Sequence, residues 1–206
     1  MLPRAFQPNK KAFSLVELSI VLVILGLLVG GILSGQSLIR AAQLRSVTTD
    51  YTKFITAMNT FRDKYFALPG DMTNAQSVWG VAHATPATCI TTASTDAKTC
   101  NGDGNGKIDL STGSDELFRF WQHLTNAGLI EGQYDGITHG ANTWSATAAN
   151  SPRGKMNNTL WFVNYRGVLS AQAYAFDADY GSYFHLGKMM TDASPYGSAF
   201  RPEEIW

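Results

Sequence analysis

From Leu15 to Gly35 the chain reads LVELSIVLVILGLLVGGILSG, an apolar run broken by one charge, Glu17. A helix of this length spans a ~30 Å hydrocarbon layer. The run is longer than the 7–15 residues typical of the apolar core of a secretory signal peptide, and it flows directly into further helical sequence. Arg4, Lys10 and Lys11 precede it, and no acid does. The positive-inside tendency therefore keeps the N-terminus cytoplasmic and sends the body across, although Arg40 and Arg45 on the far side weaken the bias.

Glu17 needs an explanation. A carboxylate inside such a run costs about 2.5–3.5 kcal/mol on insertion scales, so it calls for a partner. A cut after Ala12 would supply one by freeing the amino group of Phe13. The amine of a neighbouring subunit could pair with Glu17 and set the axial register between packed helices. That is chemistry of assembly, and it distinguishes the chain from a plain membrane anchor.

The stretch KKAFSLVEL, Lys10–Leu18, resembles the prepilin leader junction of type IV pilins and of the pseudopilins of type II secretion. The resemblance implies that Ala12 ends a cleaved leader. It makes Phe13 the N-methylated first mature residue and Glu17 the assembly glutamate. Gly26 matches a glycine common in that helix. Two positions depart from the pattern. Ala12 stands where glycine is usual, and Ser34 where many members have proline. Gly30, Gly31 and Gly35 would supply the local helix weakness instead.

The helix is expected to continue beyond the apolar run. Val47, Tyr51, Phe54, Ile55, Met58, Phe61 and Tyr65 recur at helical spacing, with Thr49, Asp50, Lys53, Asn59 and Lys64 on other faces. Pro69-Gly70 ends it. Phe13 to Phe66 would then form ~80 Å of helix at about 1.5 Å per residue. The tract KYFALPGD, Lys64–Asp71, reads as a helix stop and a turn. The expected organisation is a leader at 1–12, a transmembrane half at 13–35, an amphipathic half at 36–68 and a globular head at 69–206. The fold class is α+β: one long N-terminal helix packed on a small antiparallel sheet, as in pilins.

In the head, residues 72–113 read as a long polar surface loop. A helix is expected from Asp115 to Ala127, with Leu117, Phe120, Trp121 and Leu124 on one face and Gly128 as its C′ residue. Residues 140–158 are again small and polar. Strands are expected at Thr159–Tyr165, Val168–Ala173 and Ser182–Leu186, and an irregular tail from Ala193 to Trp206. Trp121, Trp161, Phe162 and Tyr165 read as core.

Cys89 and Cys100 flank loop-like sequence and form a disulfide in an oxidising compartment. Closing so short a loop removes about 3 kcal/mol of unfolded-state entropy in the chain-entropy view. No second Cys or His pair at ligand spacing suggests zinc.

Asn101–Asp109 reads NGDGNGKID and resembles the calcium loops of EF-hands and dockerins. Asn101, Asp103 and Asn105 fall on the first three ligand positions. Gly106 makes the turn, Lys107 offers its carbonyl, Ile108 takes the apolar place and Asp109 follows. The last ligand is missing, because Thr112 stands there. Asp115 or Glu116 could fold back to replace it. A structural Ca2+ is the expected cofactor, and an Asn/Asp/Gly turn is the plain alternative. Asp177 and Asp179 form a weaker competing loop.

Catalysis is not expected. His83, His123, His139 and His185 are scattered, and His123 reads as a surface residue. No nucleophile elbow or phosphate loop occurs, and Asp115 and Glu116 suit a helix N-terminus. The net charge is zero, and −3 without the three leader cations, which argues against nucleic acid as a partner. The resemblance implies a structural filament subunit that is cut by prepilin peptidase and extracted from the bacterial inner membrane by an assembly platform. Its head would be periplasmic and its partners other pilin or pseudopilin subunits. A minor tip subunit that binds a surface, DNA or secreted cargo is the alternative. An anchored protein that never polymerises is a third. Secretion, motility, adhesion and DNA uptake all remain compatible with the sequence.

Overall fold

The computed structural model describes residues 14–109, 116–139, 145–165, 168–169, 178–179 and 181–188. Ala12, Phe13, Asp115, Asp177 and the tail from Ala193 lie outside these. The chain divides into two compact units, Met1–Leu44 and Arg45–Trp206.

The first unit is helical throughout its described length after Ser14. It forms the opening part of α1, Leu15–Tyr65. Its leucines, valines and isoleucines from Leu15 to Ile39 are at least half exposed. So long a bare apolar surface is foreign to a water-facing helix, and it marks a surface meant for lipid or for other helices.

The second unit contains the remainder of α1, α2 (Ala75–Trp79), α3 (Pro86–Cys89), α4 (Glu116–Asn126), β1 (Thr159–Tyr165), β2 (Val168–Leu169), β3 (Ala178–Asp179) and β4 (Ser182–Lys188). β1 pairs antiparallel with β4, with Thr159 opposite Lys188 and Tyr165 opposite Ser182. β2 pairs antiparallel with β3. The architecture is α+β, a long N-terminal helix with a small antiparallel sheet.

The apolar stripe on α1 meets the sheet and α4. Phe54, Ala57 and Phe61 are buried. The Phe54 ring sits edge-on to Trp121 and Trp161 at centroid distances of 5.0 and 5.3 Å. Ala57 is part of this buried line, and Tyr51, although it touches Phe184 at 6.0 Å, stays exposed.

α1 ends earlier than Pro69-Gly70. Phe66 turns left-handed (φ 55) while its N–H still bonds the Arg62 carbonyl at 2.8 Å, and its side chain is 92% exposed. Pro69 disfavours helix at Leu68, so the chain leaves the helix before it. It then returns tightly to α4. Gly70 has φ +88, and a Cβ there would lie 2.5 Å from the Glu116 carbonyl oxygen.

α4 departs most from expectation. Its bounds agree, and Gly128 is left-handed (φ 72) as the C′ reading requires. Yet every residue from Glu116 to Leu124 is buried. Phe120, Trp121 and Leu124 face the α1 core, and Leu117 and Phe118 pack with Ala146, Leu160 and Phe162. The polar face is roofed by the 72–109 segment. That segment is no simple surface loop: it carries α2 and α3 and buries Met72, Ala75 and Ile108. Cys89 and Cys100 are bonded, with Cα atoms 5.8 Å apart.

Candidate functional site

The start of α1 closes on itself. The Ser14 hydroxyl oxygen accepts the Val16 N–H at 3.3 Å, and Glu17 Oε2 accepts the Ser14 N–H at 2.9 Å. This is a reciprocal capping box, with Ser14 at the N-cap and Glu17 three residues on. Glu17 therefore has a local partner as well as any assembly role. The Ser-x-x-Glu spacing that builds this box is visible in the sequence. A cut before Phe13 would leave this box intact and place a new amine one residue ahead of it.

Further along, Gly26 and Gly30 are four residues apart, as are Gly31 and Gly35. A Cβ at any of them meets nothing within 4 Å among the described residues. Glycine spaced by four is the pattern that lets membrane helices approach closely.

In the second unit, two glycine contacts draw three segments together. A Cβ on Gly102 would lie 2.3 Å from the Gly70 carbonyl oxygen, and the Gly102 N–H bonds the Met72 carbonyl at 2.9 Å. Gly70 in turn abuts α4. The result brings carboxylate oxygens of Asp71, Asp103 and Glu116 within 4.8 Å of one another. Backbone N–H groups answer part of this charge: Gly106 donates to Asp71 Oδ2 at 2.9 Å, and Asp103 and Asp109 donate to Glu116 at 3.0 and 3.3 Å. Burial pushes the Glu116 carboxyl up to about 7, against those two N–H groups and aided by the Asp103 and Asp71 charges. Asp71 is raised as well, chiefly by burial.

The expected calcium ligands are thus partly regrouped. Asp103 and Glu116 come together, and Asp71, 32 residues upstream of Asp103 in sequence, joins them. The amide oxygen of Asn101 accepts the Gln76 N–H at 2.8 Å at the start of α2. Asn105 accepts the Lys107 N–H at 2.7 Å and donates to Asp103 Oδ2 at 2.9 Å. The ammonium of Lys107 lies 5.0 Å over the Tyr165 ring. Asp109 Oδ1 is buried without a partner. Ile108 is fully buried. In the competing loop, Asp179 lies in β3 opposite Val168.

His123 is a correction. It was expected at the surface and is fully buried. Its Nδ1 accepts the Gly70 N–H at 2.9 Å, and its Nε2 lies 3.0 Å from the Thr99 hydroxyl, which donates to Gln122. Burial, and then the Arg119 charge, pull its pKa down to about 3. Arg119 itself reaches the Cys89 and Thr92 carbonyls at 2.9 Å each. These polar residues of α4 fasten the disulfide segment from below.

A bare apolar helix with a capped, singly acidic start, leading into a small α+β body, fits a protein anchored in a membrane by one N-terminal helix. Residues 7–33 match the family model described as the prokaryotic N-terminal methylation motif. The chain thus carries the hallmark of prepilin-like proteins, the type IV pilins and pseudopilins. The matched span includes Ala12, Phe13, Glu17 and Gly26. No curated protein and no solved structure matches the chain.

Proposed function

We propose that the protein is a structural subunit of a type IV pilus-like filament or type II secretion pseudopilus, processed between Ala12 and Phe13, methylated on Phe13 and assembled through α1. The observation that carries this reading is the methylation motif at residues 7–33 at the head of a helix whose apolar side chains are bare. Before assembly the helix resides in the inner membrane, with the body on the periplasmic side where Cys89–Cys100 can form. In the filament, other subunits replace lipid around the apolar run. The role is structural rather than catalytic. Intact-mass measurement on the membrane-extracted protein tests the first step. The expected mass is that of the chain from Phe13 onward plus one methyl group. A mass equal to the full chain would reject processing, and with it this reading.

The glycines give a second test. Each costs roughly 1 kcal/mol against alanine within a helix. Among the described residues nothing uses the space they leave. Close approach of a neighbouring helix would use it. Gly30→Leu should therefore leave insertion and the folded body unchanged and reduce filament yield at least about tenfold, the effect of ~1.4 kcal/mol at one contact. Electron microscopy and shearing of filaments read this out. Wild-type yield would remove Gly30 from the packing face.

A further inference from the structure

Among the described residues, two buried carboxylates of the second unit have no cation beside them. Asp71 is 5% exposed and Glu116 is fully buried. Among the described residues the ion pairs lie elsewhere: Lys53 with Glu131, Lys98 with Asp96 and His139 with Asp135. Burying carboxylates is costly unless they are paired, fully hydrogen-bonded or on a metal. The backbone N–H groups leave a remainder. Asp71 Oδ1 is buried with no donor, and its carboxylate is directed at the other two.

The geometry points to a calcium site formed by the carboxylates of Asp71, Asp103 and Glu116. Calcium binds oxygen at about 2.3–2.6 Å, so one ion can join oxygens up to about 5 Å apart. The three oxygens lie within 4.8 Å of one another. Magnesium, at about 2.0–2.1 Å, would need them within about 4.2 Å and holds its waters more firmly. The donors are all hard oxygens, which does not favour zinc or copper. A solvent-open cleft of about 360 Å³, lined by Arg62, Phe66, Asp71, Thr73 and Gly106, borders the site and gives an ion and its waters a way in.

This is not an EF-hand ligand set. Asn101 and Asn105 are engaged with backbone N–H groups of α2 and of their own turn. The loop contributes Asp103, and the remaining carboxylates come from the turn after α1 and from the first turn of α4. Asp109 donates its N–H to Glu116 and has its Oδ1 buried without a partner, but its carboxylate is not one of the oxygens that lie within 4.8 Å of one another. The ion would clamp three segments that also meet through glycine backbone contacts, hydrogen bonds and the buried side chains of Met72, Ile108 and Phe120. It serves the folded body, so it does not depend on whether the chain polymerises.

The test uses the full chain in non-ionic detergent, stripped with a chelator and then titrated with calcium alone, with thermal unfolding and calorimetry as readouts. Calcium binding only to the folded state raises Tm. The expected result is a saturable rise that magnesium at equal concentration does not match. Asp103→Asn, at an exposed position, removes a repulsion from the cluster, so it should not lower the calcium-free Tm and should weaken calcium at least about tenfold, the equivalent of ~1.4 kcal/mol. Asp71→Asn should abolish the response. No rise in Tm at about ten times the ~1 mM range of weak extracellular sites would overturn the proposal. So would an undiminished response in both variants, which would place the ion elsewhere. A Glu116→Gln protein that is more stable than wild type without calcium, together with a calcium-insensitive wild type, would mean that a shared proton, and not an ion, settles the cluster.

Discussion

Filament assembly is expected to fall to background in both Glu17→Ala and Glu17→Gln, while membrane insertion, cleavage before Phe13 and the folded body are retained. The two variants separate the capping role seen in the structure from the proposed assembly role. Glu17 caps α1 through the Ser14 N–H, and in the proposed filament its charge pairs with the Phe13 amine of a neighbour. Alanine removes both. Glutamine keeps a side-chain oxygen for the Ser14 N–H and removes only the charge. Loss of a cap costs about 1 kcal/mol and affects one helix end. An unpaired carboxylate in an apolar bundle costs about 2.5–3.5 kcal/mol for each subunit added, so the amine that answers it governs register. Insertion should become easier in both variants, since a charge has been removed from the run. Immunoblotting of membrane and sheared-filament fractions measures the two outcomes. Wild-type filaments from Glu17→Gln would show that the carboxylate matters as a cap and not as a charge.

What was legible in the sequence follows the range of the interactions involved. The apolar run and the helical stripe from Val47 to Tyr65 are local periodicities, β1 is a local run of apolar and aromatic residues, and each element came out close to its expected bounds. The left-handed turn at Phe66 was not legible, because a left-handed aromatic is disfavoured locally and is imposed here by the return of Gly70 to α4. The buried face of α4 was misread for a related reason. Arg119, Gln122 and His123 look like a solvent face by type. They are satisfied instead by the Cys89, Thr92 and Ser94 carbonyls, the Thr99 hydroxyl and the Gly70 N–H, all far away in sequence. The carboxylate cluster was half legible. Asp103 and Glu116 stand in or beside the loop motif, but Asp71 lies beyond any such motif and joins them through the Gly70–Gly102 contact and the Gly106 N–H.

His123 makes acid stability measurable at a single residue. Its ring is stacked on Phe61 at 6.2 Å and lies 5.3 Å from Trp79, with Arg119 as the charge beside it. Because the Gly70 N–H donates to Nδ1, the proton of the neutral ring sits on Nε2, toward Thr99. A second proton would set N–H against N–H inside the core. The folded pKa is near 3 against an ordinary 6.5. The unfolded chain therefore binds the extra proton first, and stability falls as pH drops from about 6.5 toward 3. With about 1.4 kcal/mol per pKa unit, the loss reaches about 3 kcal/mol by pH 4. Asp71 and Glu116 act in the opposite sense: their raised pKa values favour the protonated folded state, so their stabilisation is present at low pH and lost as pH rises through the folded values. The total curve mixes these contributions, and a comparison with His123→Phe isolates one. Phenylalanine keeps the ring against Phe61 and Trp79 and cannot titrate. It leaves the Gly70 N–H without its acceptor, so the variant should start about 1–3 kcal/mol less stable at pH 7. By pH 4 the wild type should have lost that advantage, and the two curves should meet or cross. Urea unfolding of both full chains in non-ionic detergent, at pH 7 and pH 4, provides the comparison. A gap that stays constant between the two pH values would mean that His123 is not held neutral in the fold.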